Sequence, residues 1–352
     1  MENIVFSLVQ KKDSFLVVEI GLNGARVTKM LVDFHLRSIK ILKNIEVDVN
    51  DSLADSLAQM DSLGAKIILI LDSHIGFTEY SKINTHLEVG TAEALRKLFL
   101  SMREKAGEKL GIEVFEVALL DARILNVRVV DGGLEIFGAI TCAPKKWIEE
   151  IFKVLSKERV VLCVEGVAAF GRVVSVILKD ENFILAYLKQ SETAALEVVD
   201  GNINYLDYFS YGTEAIFNEL MLKNKFPKHL IKYAVNSYCK EIGPAVFLDK
   251  FGANLKQEYK IIENGLKEIV GKSNSKFLYL ASCEAMPNFL VNVRIKNRSR
   301  HFIKIAIITH NFISAKLGFE VKYKVEEPER NFDIELAGLF DFYLSQHNKY
   351  VS

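Results

Sequence analysis

Several features are scarce in this sequence, and each scarcity removes a class of protein. There is no excess of charge, because 45 lysines and arginines balance 45 aspartates and glutamates. Proteins that grip nucleic acid need a basic surplus or a basic face, so nucleic acid is not an expected partner. The basic stretch Asn297-Arg298-Ser299-Arg300-His301 reads as a solvated loop. Only four cysteines occur, Cys142, Cys163, Cys239 and Cys283, with no C-x-x-C pair among them. That excludes a disulfide framework and suggests a reduced, cytoplasmic chain with buried thiols. His74, His86 and His310 stand alone, without the H-x-x-x-H spacing of a zinc helix, so no metal is expected. Long apolar runs are missing too. The longest, at 65–71 and 303–308, fall far short of the roughly 20 residues that span a bilayer. No direct transmembrane segment is expected. The first residues lack the basic and apolar pattern of a signal peptide, and residues 345–352 are polar, with no amphipathic membrane helix. There is no G-x-x-x-x-G-K phosphate loop and no G-x-S-x-G nucleophile turn.

What remains is apolar and regular. Half of the 352 residues are hydrophobic, enough for two or more subdomains with their own cores. One strand-turn-strand pattern occurs twice, at 15–28 and at 183–196, and the second copy continues through Asp200-Gly201 into a third strand. Strands are expected near 15–22, 25–33 and 38–48, then a helix from Asp51 to about Met60, then a buried strand at 65–71. An amphipathic helix at 91–109 follows, with Ala94, Leu95, Leu98, Met102 and Ala106 on one face. Strands at 113–120, 124–130 and 134–141 and a helix opening at Pro144 complete an inserted α+β unit. A strand at 160–164 leads into a helix opening at Glu165. After the second hairpin comes a helical region of about sixty residues, interrupted at Pro227 and Pro244. The tail alternates strand and helix: strands at 277–280 and 303–308, a helix after Pro287, a short helix at 312–317, a strand at 320–323, and a last helix carrying Ile334, Leu336, Leu339, Phe340 and Tyr343.

The order of these elements resembles the actin-like superfamily, and within it the FtsA and PilM branch, whose insertion falls after the first half. Val18-Glu19-Ile20-Gly21 looks like the first phosphate hairpin, usually D-I-G. Val164-Glu165-Gly166-Val167-Ala168-Ala169 is similar to the E-x-x-A-x-A helix start. Leu317-Gly318-Phe319-Glu320-Val321, then Ala337-Gly338-Leu339, resemble the end of the second half. The resemblance implies an α/β, actin-like fold: a ribonuclease H-like unit duplicated into two lobes, with a small α+β subdomain inserted. The implied division is 1–74 for the first half of lobe I, 75–158 for the insertion, 159–180 for the return to lobe I, and 181–352 for lobe II. Lobe II would contain a helical subdomain at about 213–272, and the last helix could pack back on lobe I.

The family's nucleotide site would map onto Glu19, Gly21, Asn23, Gly24, Lys189, Gly212 and Thr213. Gly21 and Gly24 would let backbone approach phosphate. The second hairpin departs from its D-I-G-G-G-T-T-D pattern, since Tyr187-Leu188-Lys189-Gln190-Ser191-Glu192-Thr193-Ala194 has lost its carboxylates and glycines. Ala281-Ser282-Cys283-Glu284-Ala285-Met286 stands where a glycine-rich adenosine turn is usual. Lys189 could replace a metal beside phosphate, or it and Glu192 could be ordinary turn residues paired with each other. Thr213 could face nucleotide or simply cap a helix, and Glu165 could be a hinge or site carboxylate or a first-turn residue favoured by the helix dipole. Tyr205, Tyr208, Phe209 and Tyr211 alternate as a strand does and read as sheet packing or a partner surface. The expectation is a non-enzymatic scaffold, catalytic residues and cofactor both absent, with ATP and magnesium the one candidate ligand pair. The resemblance implies membrane-associated division or pilus-assembly proteins as partners, with self-association as a further possibility. It places the chain in the cytoplasm, peripheral at the inner membrane through a partner. An ATP-binding filament-forming protein and a sugar-kinase-like enzyme are the alternatives, the second needing a catalytic Asp that cannot be placed.

Overall fold

The structure is a computed structural model that describes residues 12–21, 24–48, 64–86, 91–130, 132–179, 182–324, 331 and 333–348. The expected helix from Asp51 to Met60 lies outside these residues. The first sheet starts with β1 (Asp13–Gly21), β2 (Gly24–Asp33) and β3 (Ser38–Asp48), paired as antiparallel neighbours. Phe15, Leu16, Val17 and Val18 are all fully buried. A strand apolar on both faces belongs in the middle of a covered sheet, and each such side chain contributes roughly 1.5–3 kcal/mol on burial. β4 (Lys66–Leu71) pairs parallel to β1, and β8 (Val160–Glu165) pairs parallel to β4. Late in the chain, β14 (Glu320–Tyr323) joins the far edge, parallel to β3. The order is β14-β3-β2-β1-β4-β8.

The second sheet repeats that plan. Here β9 (Phe183–Leu188), β10 (Thr193–Val199) and β11 (Asn202–Phe209) are the antiparallel run. Then β12 (Phe277–Ser282) and β13 (Lys304–Ile307) add in parallel, giving β11-β10-β9-β12-β13. The hairpin duplication in the sequence is therefore a duplication of sheet topology.

Between β4 and β8 the chain makes a third sheet, β5-β7-β6, from β5 (Phe77–His86), β6 (Val117–Val130) and β7 (Gly133–Pro144). The helix α1 (Thr91–Leu110) covers it through buried Ala94, Leu98, Met102 and Ala106. β6 is one long strand. The break expected between 120 and 124 is instead a pair of register shifts, at Leu119/Asp121 and Ile124/Asn126, which interrupt the ladder without ending the strand. The helix α2 (Lys145–Val154) begins directly after Pro144.

The helix α3 (Gly166–Ile177) runs between the two large sheets and is buried continuously from Gly166 to Val174. One core contains its Phe170 and Val173 together with Phe15 and Ile68 of the first sheet and Leu185 and Leu196 of the second. Gly171 permits this approach, since a Cβ there would lie 2.4 Å from Leu196 Cδ1. The last helix, α8 (Asp333–Asn348), packs against α3, β1 and β4. Its Asp341 accepts hydrogen bonds from Arg172 of α3 at 2.9 and 3.1 Å and from Arg123 of β6 at 2.8 Å, tying three parts of the molecule to one buried carboxylate.

The outer face of the second sheet is covered by α4 (Thr213–Asn224), α5 (Lys228–Cys239) and α6 (Ala245–Val270), which form a separate core with Ile184, Leu188 and Leu280. Pro227 and Pro244 sit at the residues preceding α5 and α6, so the interruptions in the sequence are helix starts. After Pro287 the expected helix is only a 3-10 turn, Asn288–Asn292. That segment buries Leu290 alone, too little to hold a longer helix. The short helix α7 (His310–Leu317) precedes β14. Among the described residues, no helix is long and apolar enough to cross a membrane.

Candidate functional site

The ends of the two repeated hairpins face each other across a cleft of about 820 Å³. Glu19, Gly21 and Gly24 line one wall, Lys189 and Thr213 the other. These are five of the seven residues selected from sequence. Asn23 lies outside the described residues. Gly212 does not line the cleft but sits behind the second turn, where a Cβ would fall 2.4 Å from the Gln190 carbonyl oxygen and 2.5 Å from that of Lys189. Thr213 is not the helix cap: Gly212 occupies that position without a side-chain bond. The Thr213 hydroxyl instead donates to the Lys189 carbonyl at 3.3 Å. The amides of Thr213 and Glu214 donate to the carbonyls of Lys189 and Gln190, each at 2.9 Å. A helix start of this kind is a ready anion site, but these two donors are already taken by the turn.

On the first hairpin, Glu19 lies directly opposite Arg26 in the β1–β2 ladder. Arg26 donates to Glu19 at 2.9 Å and approaches Glu46 at 3.6 Å and Glu335 at 3.9 Å. Burial works against its charge, and the surrounding carboxylates more than restore it, so the guanidinium stays fully protonated.

On the second hairpin, Lys189 is 7 % exposed and its ammonium sits among lobe I groups. It donates to Ser73 Oγ at 2.6 Å and to Glu192 Oε1 at 3.0 Å. Asp72 Oδ2 lies 3.8 Å away and Glu165 Oε1 3.9 Å away. Burial disfavours the ammonium, but Asp72, Glu165 and Glu192 together raise its pKa above the ordinary lysine value. Ser73 also donates to Glu192. Glu165 is fully buried at the start of α3, where it accepts the amides of Val167 and Ala168 at 3.1 and 2.8 Å and the hydroxyl of Tyr205. Burial pushes its carboxyl pKa up, with Lys189 the main opposing influence. Glu165 is thus the N-cap of α3 rather than a first-turn residue, and its Oε1 lies 3.9 Å from the cleft lysine.

Two groups central to this arrangement escaped the sequence reading. Arg26 was legible in principle, because the antiparallel pairing of Gly21 with Gly24 sets residue 26 opposite residue 19. Asp72 ends a buried parallel strand on the side where α/β sheets place ligand groups. His74, isolated in sequence, is brought to 3.4 Å from Glu192 Oε2. Ligand atoms of Asp72, His74 and Glu192 all lie within 4.8 Å of one another.

No family model and no curated protein matches this sequence. Among solved structures, the chain is similar to one described as the PilM-PilN type IV pilus biogenesis complex, at 10% identity, covering 96% of this chain and 98% of that one, with a TM-score of 0.59. Two weaker likenesses have TM-scores below 0.5. One is the cytoplasmic domain of EpsL, an inner membrane component of the type II secretion system of Vibrio cholerae (9% identity, 95% of each chain, TM-score 0.42). The other is a Bacteroides thetaiotaomicron protein with an actin-like ATPase fold and unknown function (12% identity, 87% and 95% of the chains, TM-score 0.40). The chain has the actin-like fold expected from its sequence, with mixed α/β lobes and an additional small sheet. At such identities the likeness speaks for fold alone.

Proposed function

We propose that this protein is an actin-like scaffold or adaptor of the PilM type, recruiting partners in type IV pilus assembly at the inner membrane, and that its nucleotide cleft has lost its ligand. The fold likeness extends over nearly the whole of both chains. The observation that carries the second half of the proposal is the neutralisation of the cleft from within. Arg26 and Lys189, the two cations nearest the hairpins, already face Glu19, Glu46, Asp72, Glu165 and Glu192. Phosphoryl transfer rests on positioned cations and free amide donors around the phosphates. A triphosphate entering here would have to displace carboxylates from both cations and would meet Glu19 and Asp72, which line the cleft, as like charges.

The test is a titration of labelled ATP with and without magnesium, paired with affinity capture of the tagged full chain from its native cells. No saturable nucleotide binding in the micromolar range, and capture of an integral membrane protein, are the expected results. Tight magnesium-dependent binding overturns the pseudo-ATPase reading. One observation favours a second reading, that of an ATP-binding filament former: the cleft keeps a volume of about 820 Å³, within the range of small-molecule sites. Nucleotide-dependent sedimentation of polymers would establish that alternative.

A further inference from the structure

We propose that Asp72, His74 and Glu192 form a binding site for a divalent transition-metal ion of the zinc class, placed so that the ion joins the two lobes at the rim of the cleft. Asp72 and His74 belong to the turn after β4 in lobe I, and Glu192 to the β9–β10 turn in lobe II. His74 Nε2 and Glu192 Oε2 are 3.4 Å apart. Zinc binds imidazole nitrogen and carboxylate oxygen at about 2.0–2.2 Å in a tetrahedron, which sets neighbouring donors roughly 3.3–3.5 Å apart. That pair is therefore already at ligand spacing. Asp72 offers a third donor atom within 4.8 Å of both. Three protein ligands leave a fourth position for water.

The surroundings hold these donors in place. The amide of His74 donates to Asp72 Oδ1 at 3.1 Å, and Ile75 and Gly76 donate to the Asp72 carbonyl at 2.9 and 2.8 Å, so the turn that carries two of the ligands is fixed. Glu192 is 3 % exposed. Its Oε1 accepts from Lys189 and Ser73, which turns Oε2 toward the imidazole. Ser73 and Lys189 thus orient Glu192 through its other oxygen, as outer hydrogen-bond partners do at metal sites, while Lys189 also lies 3.8 Å from Asp72 Oδ2 and shares that carboxylate with the ion. The half-exposed His74 gives an entry path from solvent. With one imidazole and two carboxylates the site favours zinc over magnesium, which prefers an all-oxygen shell and keeps its waters. This site uses an imidazole and needs no nucleotide, and it stands whether or not the chain is an adaptor. Its ligands come from both lobes, so metal binds best where the cleft is closed and stabilises that state by mass action.

The experiment uses the full chain, freed of metal by a chelator, and zinc chloride alone as the probe, competed against a chromophoric chelator. One equivalent of zinc with micromolar or tighter affinity, a zinc-dependent rise in melting temperature, and no comparable response to magnesium chloride are expected. His74→Ala alters a half-exposed side chain and should fold normally, and Asp72→Asn is the second variant. Each is expected to weaken zinc binding by at least about tenfold and to abolish the rise in melting temperature. Absence of stoichiometric binding to the wild type overturns the proposal, and so does wild-type affinity in His74→Ala.

Discussion

Replacing Lys189 by Met removes one ammonium from among three carboxylates while keeping most of the side-chain volume. The ammonium is 3.0 Å from Glu192, 3.8 Å from Asp72 and 3.9 Å from Glu165. Glu165 and Glu192 are themselves buried. Removing one member of a buried ion pair costs roughly 3–5 kcal/mol, because the remaining charge has neither water nor a partner. The variant has one means of relief, protonation of Glu165, whose pKa burial already raises and which would rise further without Lys189. A carboxyl with a raised folded pKa destabilises the fold above its unfolded value, and it ceases to do so as pH falls and the proton binds. The deficit of Lys189→Met is therefore greatest near pH 8 and shrinks on acidification through the raised folded value toward roughly pH 4, the unfolded value. Urea midpoints followed by circular dichroism at pH 8 and pH 5.5, for both proteins, measure this. Equal midpoints at pH 8 would refute the assignment of a buried ammonium, and a deficit that widens in acid would refute the role given to Glu165.

Asp341→Asn should cost roughly 3–5 kcal/mol at neutral pH, since Arg172 loses its buried counter-charge and Arg123 is left with Asp121 alone. Burial would raise the Asp341 carboxyl, but the two guanidinium groups outweigh it and hold its pKa below the ordinary value. Its stabilisation is thus present above the unfolded pKa and lost as pH falls through the lower folded one. The urea midpoints of wild type and variant should differ at pH 7 and converge only in strong acid. Gly212→Ala places a Cβ against the carbonyls of Lys189 and Gln190. It should destabilise by roughly 1–3 kcal/mol, read as a lowered melting temperature, even though Gly212 does not line the cleft.

How much of this was legible depends on the distance over which each feature is encoded. The two central strands were clear because Phe15 to Val18 and Phe183 to Leu188 are uniformly apolar. Pro227 and Pro244 marked helix starts through a local rule. β5 was missed: Phe-Thr-Glu-Tyr-Ser-Lys-Ile-Asn-Thr-His is polar at most positions, with Lys82, Asn84 and His86 exposed, and pairing with β7 makes it a strand. The break expected in β6 reflects Asp121 and Arg123, polar residues that one continuous strand accommodates with a register shift at Leu119/Asp121. In the cleft, the pairing of Lys189 with Glu192 was one of the two readings open in the sequence, and it is present at 3.0 Å. The company of that pair was not legible. Ser73 and Glu192 are 119 positions apart, and only the duplicated sheets bring their turns together.

The consequence concerns how such a cleft can respond to ligand. A ligand shifts the balance between open and closed lobes only by the difference in its affinity for the two states. In a nucleotide-driven switch that difference comes from phosphate charge meeting cations and amides from both lobes. Here lobe II supplies its own cation, Lys189, which already rests among Asp72, Glu165 and Ser73 of lobe I. The amides of Thr213 and Glu214 already hold the carbonyls of the same turn. An anionic ligand therefore gains little by closing the cleft, since closure offers it no unpaired donor among these groups. A divalent cation at Asp72, His74 and Glu192 gains from closure directly, because two of its ligands lie on one lobe and the third on the other. On the proposed metal site, the ligand that closes the lobes would be a cation at the rim rather than the anion of a nucleotide.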